Sequence, residues 1–211
     1  MITGESGMKI FLTGATGYIG GSVAARFVSD GHTVRGLARS ESRAAALRGL
    51  GIEPVIGSLD DTALLAAEAA SADAVVNAAS ADHRPAAEAI LTALAGSDKT
   101  FLHTSGSSIV GNRARGAARD EVYDETTPLT PAPNRAARVA LNRDILAGAA
   151  NGVRAVVLCP ALIYGLGHGL EPHSMQVPWL IALARKDGVA KHAGPGANIW
   201  SNVHIDDLTA L

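Results

Sequence analysis

Three glycines spaced three apart stand where an apolar run meets a helix-forming stretch: Thr13-Gly14-Ala15-Thr16-Gly17-Tyr18-Ile19-Gly20 directly follows Lys9-Ile10-Phe11-Leu12. A phosphate group needs backbone N–H donors at a helix N-terminus and no side chain in its way. The last glycine of such a loop lets the helix close on its strand. Gly14, Gly17 and Gly20 fit those roles, and Thr16, Tyr18 and Ile19 are candidate contacts beside them. The spacing acquires this meaning only in a strand–turn–helix context, so the rest of the chain decides the fold.

That context is present. Short apolar runs at 9–13, 33–37, 53–56, 74–76, 100–103 and 154–158 each read as a buried strand. Between them, segments 19–30, 42–50, 62–70, 85–95 and 135–149 have helical length and are dominated by Ala, Leu, Arg and Glu. Alternation of this kind implies right-handed crossovers and a parallel sheet covered on both faces. The expected fold class is therefore α/β, a doubly wound parallel sheet of Rossmann type. Residues 1–7 read as a leader, 8–160 as the dinucleotide-binding domain, and 161–211 as a partial substrate-binding segment that returns to the core. Two irregular stretches, 105–134 and 165–178, are long enough to suggest functional loops.

Composition narrows the class further. Hydrophobic residues make up 47% and charged residues 18% of the 211, which excludes a disordered chain. A net charge of −2 with no basic cluster removes the footprint of a nucleic-acid or anionic-membrane binder. No apolar run approaches the roughly 20 residues of a membrane span. The first residues lack a secretory pattern, and the single Cys159 has no partner for an internal disulfide. A cytoplasmic location is expected, without membrane or nucleic-acid partners.

The end of the second strand sets cofactor preference. A dinucleotide fold places an acidic residue about 20 residues past the glycine loop to hold the ribose 2′-hydroxyl of NAD, and a basic one to accept the 2′-phosphate of NADP. Here Arg39 stands there, followed by Ser40 and Arg43, and no Asp or Glu occurs between Asp30 and Glu41. NADP is better supported than NAD. Leu59 and Asp60 after the third strand suit the adenine end. Asn77, Ala78 and Ala79 after the fourth suit the pyrophosphate. Both stretches equally suit plain turns.

With these residues in place, the chain resembles the extended short-chain dehydrogenase/reductase family, the NAD-dependent epimerase/dehydratase group. The resemblance runs in order through TGATGYIG at 13–20, GSLDD at 57–61, NAAS at 77–80, HTSGSSIVG at 103–111, DETTPLTP at 124–131, CPALIYGLG at 159–167 and VHIDDL at 203–208. It implies hydride transfer between a nicotinamide and a carbonyl or hydroxyl of a small organic or sugar-derived substrate. It also implies a Ser or Thr that holds the substrate oxygen, and a Tyr-x-x-x-Lys for the proton and the ribose. Pro160 joins the implied cofactor contacts.

At the catalytic positions the chain departs from that pattern. Asn134 stands in place of the Tyr and Arg138 in place of the Lys. An amide is not a useful acid and a guanidinium does not relay protons, although Arg138 can bind ribose hydroxyls. The Ser position falls on Gly106, with Ser105 and Ser107 on either side as alternatives. Tyr164 and His173 are the candidate replacements for the proton donor, and Tyr123 reads as surface. The seven His residues offer no metal-ligand set, so no metal is expected. His204 reads as a cap for the helix that begins at Asp206 and Asp207. Family members continue past VHIDDL whereas this chain ends three residues later, so a truncated or small C-terminal substrate-binding part is expected. The resemblance further implies a homodimer through segments 85–95 and 135–149, whose Ala-rich faces also suit packing on the sheet. The rival to an enzyme is a non-catalytic NADP(H)-binding sensor of the same fold, which the missing Tyr and Lys would accompany.

Overall fold

The computed structural model describes residues 7–211; apart from Gly7, the expected leader lies outside the described residues. Eleven elements alternate first: β1 (Lys9–Thr13), α1 (Tyr18–Ser29), β2 (Thr33–Ala38), α2 (Glu41–Arg48), β3 (Glu53–Ile56), α3 (Thr62–Ser71), β4 (Ala74–Asn77), α4 (Arg84–Leu94), β5 (Thr100–Thr104), α5 (Ala136–Ala147) and β6 (Arg154–Leu158). The six strands form one parallel sheet in the order β3-β2-β1-β4-β5-β6. The doubly wound class expected from the alternation is the one observed. The chain reverses its direction of winding between β1 and β4, and a crevice at such a reversal is where ligands of open α/β sheets sit.

Side-chain alternation along β1 explains the two cores. Phe11 faces one side with Val75, Phe101, Ile90, Leu94, Leu141 and Ile145. Ile10 and Leu12 face the other with Val34, Val76, Ala24 and Leu47. Ser40, Asp61 and His83 cap α2, α3 and α4 by accepting first-turn backbone N–H groups.

Two expectations need correction. All six strands read as buried, yet β3 and β6 are the sheet edges, and Ile56 and Val156 are 52% and 39% exposed. An apolar run carries no mark of whether a neighbour or solvent covers it. The final segment also holds elements the patterns missed, β7 (Leu162–Tyr164), α6 (Gln176–Asp187) and β8 (Asn202–His204), before the expected last helix, α7 (Ile205–Ala210). β7 and β8 pair as a separate two-stranded parallel sheet. α7 rests on α1 and opens on the Nδ1 of His204, which accepts from the Asp206 N–H as its position implied. No helix among the described residues is long and apolar enough to cross a membrane.

Candidate active site

The loop between β1 and α1 divides its glycines by mechanical role. Gly14 adopts φ +85°, and a side chain there would lie 2.6 Å from the Ala78 carbonyl. A Cβ on Gly20 would lie 2.3 Å from the Gly14 oxygen. Both residues are therefore fixed by backbone approach within the protein. Gly17 differs: its Cβ would meet nothing closer than the Gly14 oxygen at 3.4 Å, and its φ of −96° suits any residue. Gly17 is also the N-cap of α1 and supplies no side chain to the first-turn amides. Those amides have no side-chain cap and stand at the positive end of the helix, where an anion is favoured. Thr16 and Ile19 flank that end. Tyr18 turns away, and its hydroxyl donates to the Gly165 carbonyl at 2.9 Å.

At the end of β2, Arg39 and Ser40 are exposed, and Arg39 has no carboxylate partner among the described residues. The Ser40 Oγ accepts from the Arg43 N–H, and Arg43 pairs with Glu171 at 3.1 Å. Leu59 packs against the core. Asp60 reaches the His83 ring at 3.1 Å, which ties the β3 end to the start of α4.

Asn77 is a hub rather than a liner. It is buried, accepts from Thr13 Oγ1 at 2.5 Å, and donates to the His103 Nδ1 at 2.9 Å and the Ser80 carbonyl at 3.2 Å. The main chain of Ala78 and Ala79, not the Asn77 side chain, is what approaches Gly14. His103 is a member that sequence reasoning missed. Because Asn77 donates to Nδ1, the ring's proton sits on Nε2, a buried atom without a hydrogen-bond partner. Burial pushes the imidazole's pKa below its ordinary value, and the Arg138 charge adds to the shift.

The substrate-oxygen candidates gather at the ends of β5 and β6. The Ser105 Oγ accepts from the Asn142 amide at 2.9 Å, with the Cys159 thiol also beside it. The Ser105 hydroxyl is hydrogen-bonded to that thiol and draws its pKa down, against the larger upward push of burial. Ser107 begins a short 3-10 turn, Ser107–Val110, and its N–H donates to the Pro160 carbonyl. Asn134 is exposed in another such turn, Pro133–Arg135. Arg138 forks onto both oxygens of Asp82 and donates to the Ser108 Oγ at 3.2 Å. The guanidinium holds the Asp82 carboxyl below its usual range. Arg138 thus braces the β4–α4 connection against the 3-10 turn.

Tyr164 stands elsewhere, at the end of β7. Its ring edge lies against His204 at 5.1 Å, and it is hydrogen-bonded to none of Ser105, Ser107 and Arg138 among the described residues. His173 forms an isolated bridge with Leu166. Tyr123 lines a half-open cavity of about 460 Å³ with Ile109, Pro131 and Pro133, adjoining the 3-10 turn. No group of three or more His, Cys, Asp or Glu able to hold a metal occurs among the described residues.

The model of the family described as NAD dependent epimerase/dehydratase matches residues 10–211. An uncharacterized protein of Schizosaccharomyces pombe is 34% identical over 218 residues, which take in 97% of this chain and 69% of that protein. Oxidase ucsJ of Acremonium sp is 36% identical over 221 residues, 95% of this chain and 64% of its own length. The chain spans about two thirds of these relatives. Among solved structures, UDP-glucose 4-epimerase of Thermotoga maritima with UDP-glucose superposes with a TM-score of 0.72 at 17% identity, covering 96% of this chain and 71% of that one. MoeE5 in complex with UDP-glucose and NAD gives 0.69 at 19%, covering 95% and 69%. These two structures share the fold with this chain.

Proposed function

The chain belongs to the NAD dependent epimerase/dehydratase family, and from that footing we propose that it binds NADP(H) over the β1–β4 reversal and transfers hydride to or from a carbonyl or hydroxyl carbon of a small organic or sugar-derived substrate. The family's chemistry is of the oxidoreductase type and runs on a nicotinamide cofactor. The observation that carries the reading is Gly17, an N-cap without a side chain at the start of α1, where a Cβ would make only an ordinary contact with the Gly14 oxygen.

In this reading the amides after Gly17 hold the pyrophosphate, and Arg39 with Ser40 holds the 2′-phosphate. Exposed Arg39 and Ser40 at the end of β2, with Arg39 in no ion pair among the described residues, support NADP over NAD. When bound, the nicotinamide supplies or accepts the hydride. Ser105 hydrogen-bonds the substrate oxygen: the Asn142 amide occupies an acceptor site of its hydroxyl, and a substrate oxygen, a stronger acceptor than the Cys159 thiol, takes over the hydroxyl proton. Arg138, engaged by Asp82 and Ser108, acts by positioning the turn that carries Ser107 and Ser108.

The test is NADPH consumption followed at the nicotinamide absorbance band, against a panel of aldehydes and ketones. Turnover that falls about a hundredfold in Ser105→Ala, with NADPH affinity kept, supports the reading. Tight NADPH binding with no turnover on any carbonyl would contradict the hydride-transfer proposal.

A further inference from the structure

The segment after β7 carries Gly165, Gly167 and Gly169, and it forms a strap across α1. The Tyr18 hydroxyl holds the Gly165 carbonyl, and the His168 N–H donates to the Ser22 Oγ at 3.1 Å. Gly169 lies so close to Gly21 that a Cβ on it would stand 2.5 Å from the Gly21 Cα. Leu170 packs on the core beneath. These anchors deliver the next residue, Glu171, to the first turn of α2, where its carboxylate meets the Arg43 guanidinium at 3.1 Å. The two residues are 128 apart in sequence.

Arg43 stands one helical turn from Ser40, whose hydroxyl accepts from its N–H, and four residues on from Arg39, the two residues to which the proposed function assigns the 2′-phosphate. We infer that Glu171 is a built-in competitor for that phosphate, set by the strap on Arg43, and that it determines how strongly the protein favours NADP(H) over NAD(H). This inference rests on the NADP(H) reading above. Its physical basis is a difference between two ligands. The 2′-phosphate carries close to two negative charges and takes a guanidinium fork well, so it displaces the carboxylate from Arg43 and leaves Glu171 as a repelling neighbour. The 2′-hydroxyl of NAD(H) carries no charge and displaces nothing. The Arg43–Glu171 contact is a single hydrogen bond between side chains about half exposed, 49% and 50%, so it opens at little cost. Glu171 therefore lowers NADP(H) affinity without abolishing it and leaves NAD(H) untouched.

The experiment is calorimetric titration of the full chain with NADPH and with NADH, for the unaltered protein, Glu171→Gln, Arg43→Ala and the double variant, with thermal melts to confirm folding. Glu171→Gln is expected to tighten NADPH about fivefold at low salt, and less at high salt, with NADH changed by less than about twofold. Arg43→Ala is expected to weaken NADPH and to remove most of the gain from Glu171→Gln. Unchanged NADPH affinity in Glu171→Gln, or an equal gain in both nucleotides, overturns the inference. Weakened NADH also overturns it, since the carboxylate would then be a ribose ligand. An unaltered protein that prefers NADH contradicts the NADP(H) reading, while the variant ratio still decides the role of Glu171. Absence of heat with both nucleotides in every variant overturns both.

Discussion

A methyl group on Gly20 would press to 2.3 Å against the Gly14 carbonyl oxygen, whereas one on Gly17 would meet that oxygen at an ordinary 3.4 Å. Gly20→Ala is therefore expected to destabilise the fold by about 2 kcal/mol through overpacking, read in denaturant unfolding. Gly17→Val should melt close to the unaltered protein yet lose nucleotide binding by at least about a hundredfold; retained binding would mean that another surface holds the pyrophosphate. Arg39→Asp should weaken NADPH more than about tenfold and NADH less than about twofold, and equal losses would remove the phosphate assignment. The motif made all three glycines visible, but not which one faces the ligand, because that depends on the approach of Ala78 from another strand. Asn77 was visible for a related reason and misread: a polar residue after a strand suits a turn or a ligand, and its partners Thr13 and His103 meet it only once β1, β4 and β5 are adjacent.

Elements were easier to read than their surroundings. Helical segments expected at 19–30, 62–70 and 85–95 appear as α1, α3 and α4 with ends shifted by a residue or so. The short β7 and β8 were illegible because three residues are too few to show a period of two. α6 was missed because Pro178 stands in its first turn and the glycine-rich stretch before it reads as loop. Joints between elements rest on particular side chains that periodicity does not reveal. Arg35 of β2 forks onto both oxygens of Glu68 on α3, each at 2.7 Å, with only 28% and 13% of the side chains exposed. Glu68→Ala should therefore cost about 2 kcal/mol, between the values of exposed and buried pairs. A loss near zero in chemical unfolding would show that the fork does not tie strand to helix.

For the whole molecule, alternation of strand and helix was enough to foresee a doubly wound sheet, and the β3-β2-β1-β4-β5-β6 order then places the glycine loop at the reversal. The edge that carries the candidate site was less legible. The pairing of Ser105 with Asn142, and of Arg138 with Asp82, depends on α5 crossing beside β5 and the β4–α4 connection. Global stability should follow the one fully buried imidazole. His103 has its pKa lowered in the fold, so the unfolded chain binds more protons, and stability rises with pH through that range. The melting temperature should fall as pH drops below about 6.5, and His103→Gln should flatten that limb while the loss at carboxylate pH, where Asp82 protonates, persists. An unaltered slope in the variant would exclude His103 as its source. The central claim is that the uncapped start of α1 holds a nucleotide pyrophosphate. Calorimetry of the folded full chain with NADPH and NADH measures this most directly: the account predicts one-to-one binding, tighter for NADPH and abolished by Gly17→Val, and no heat with either nucleotide would contradict it.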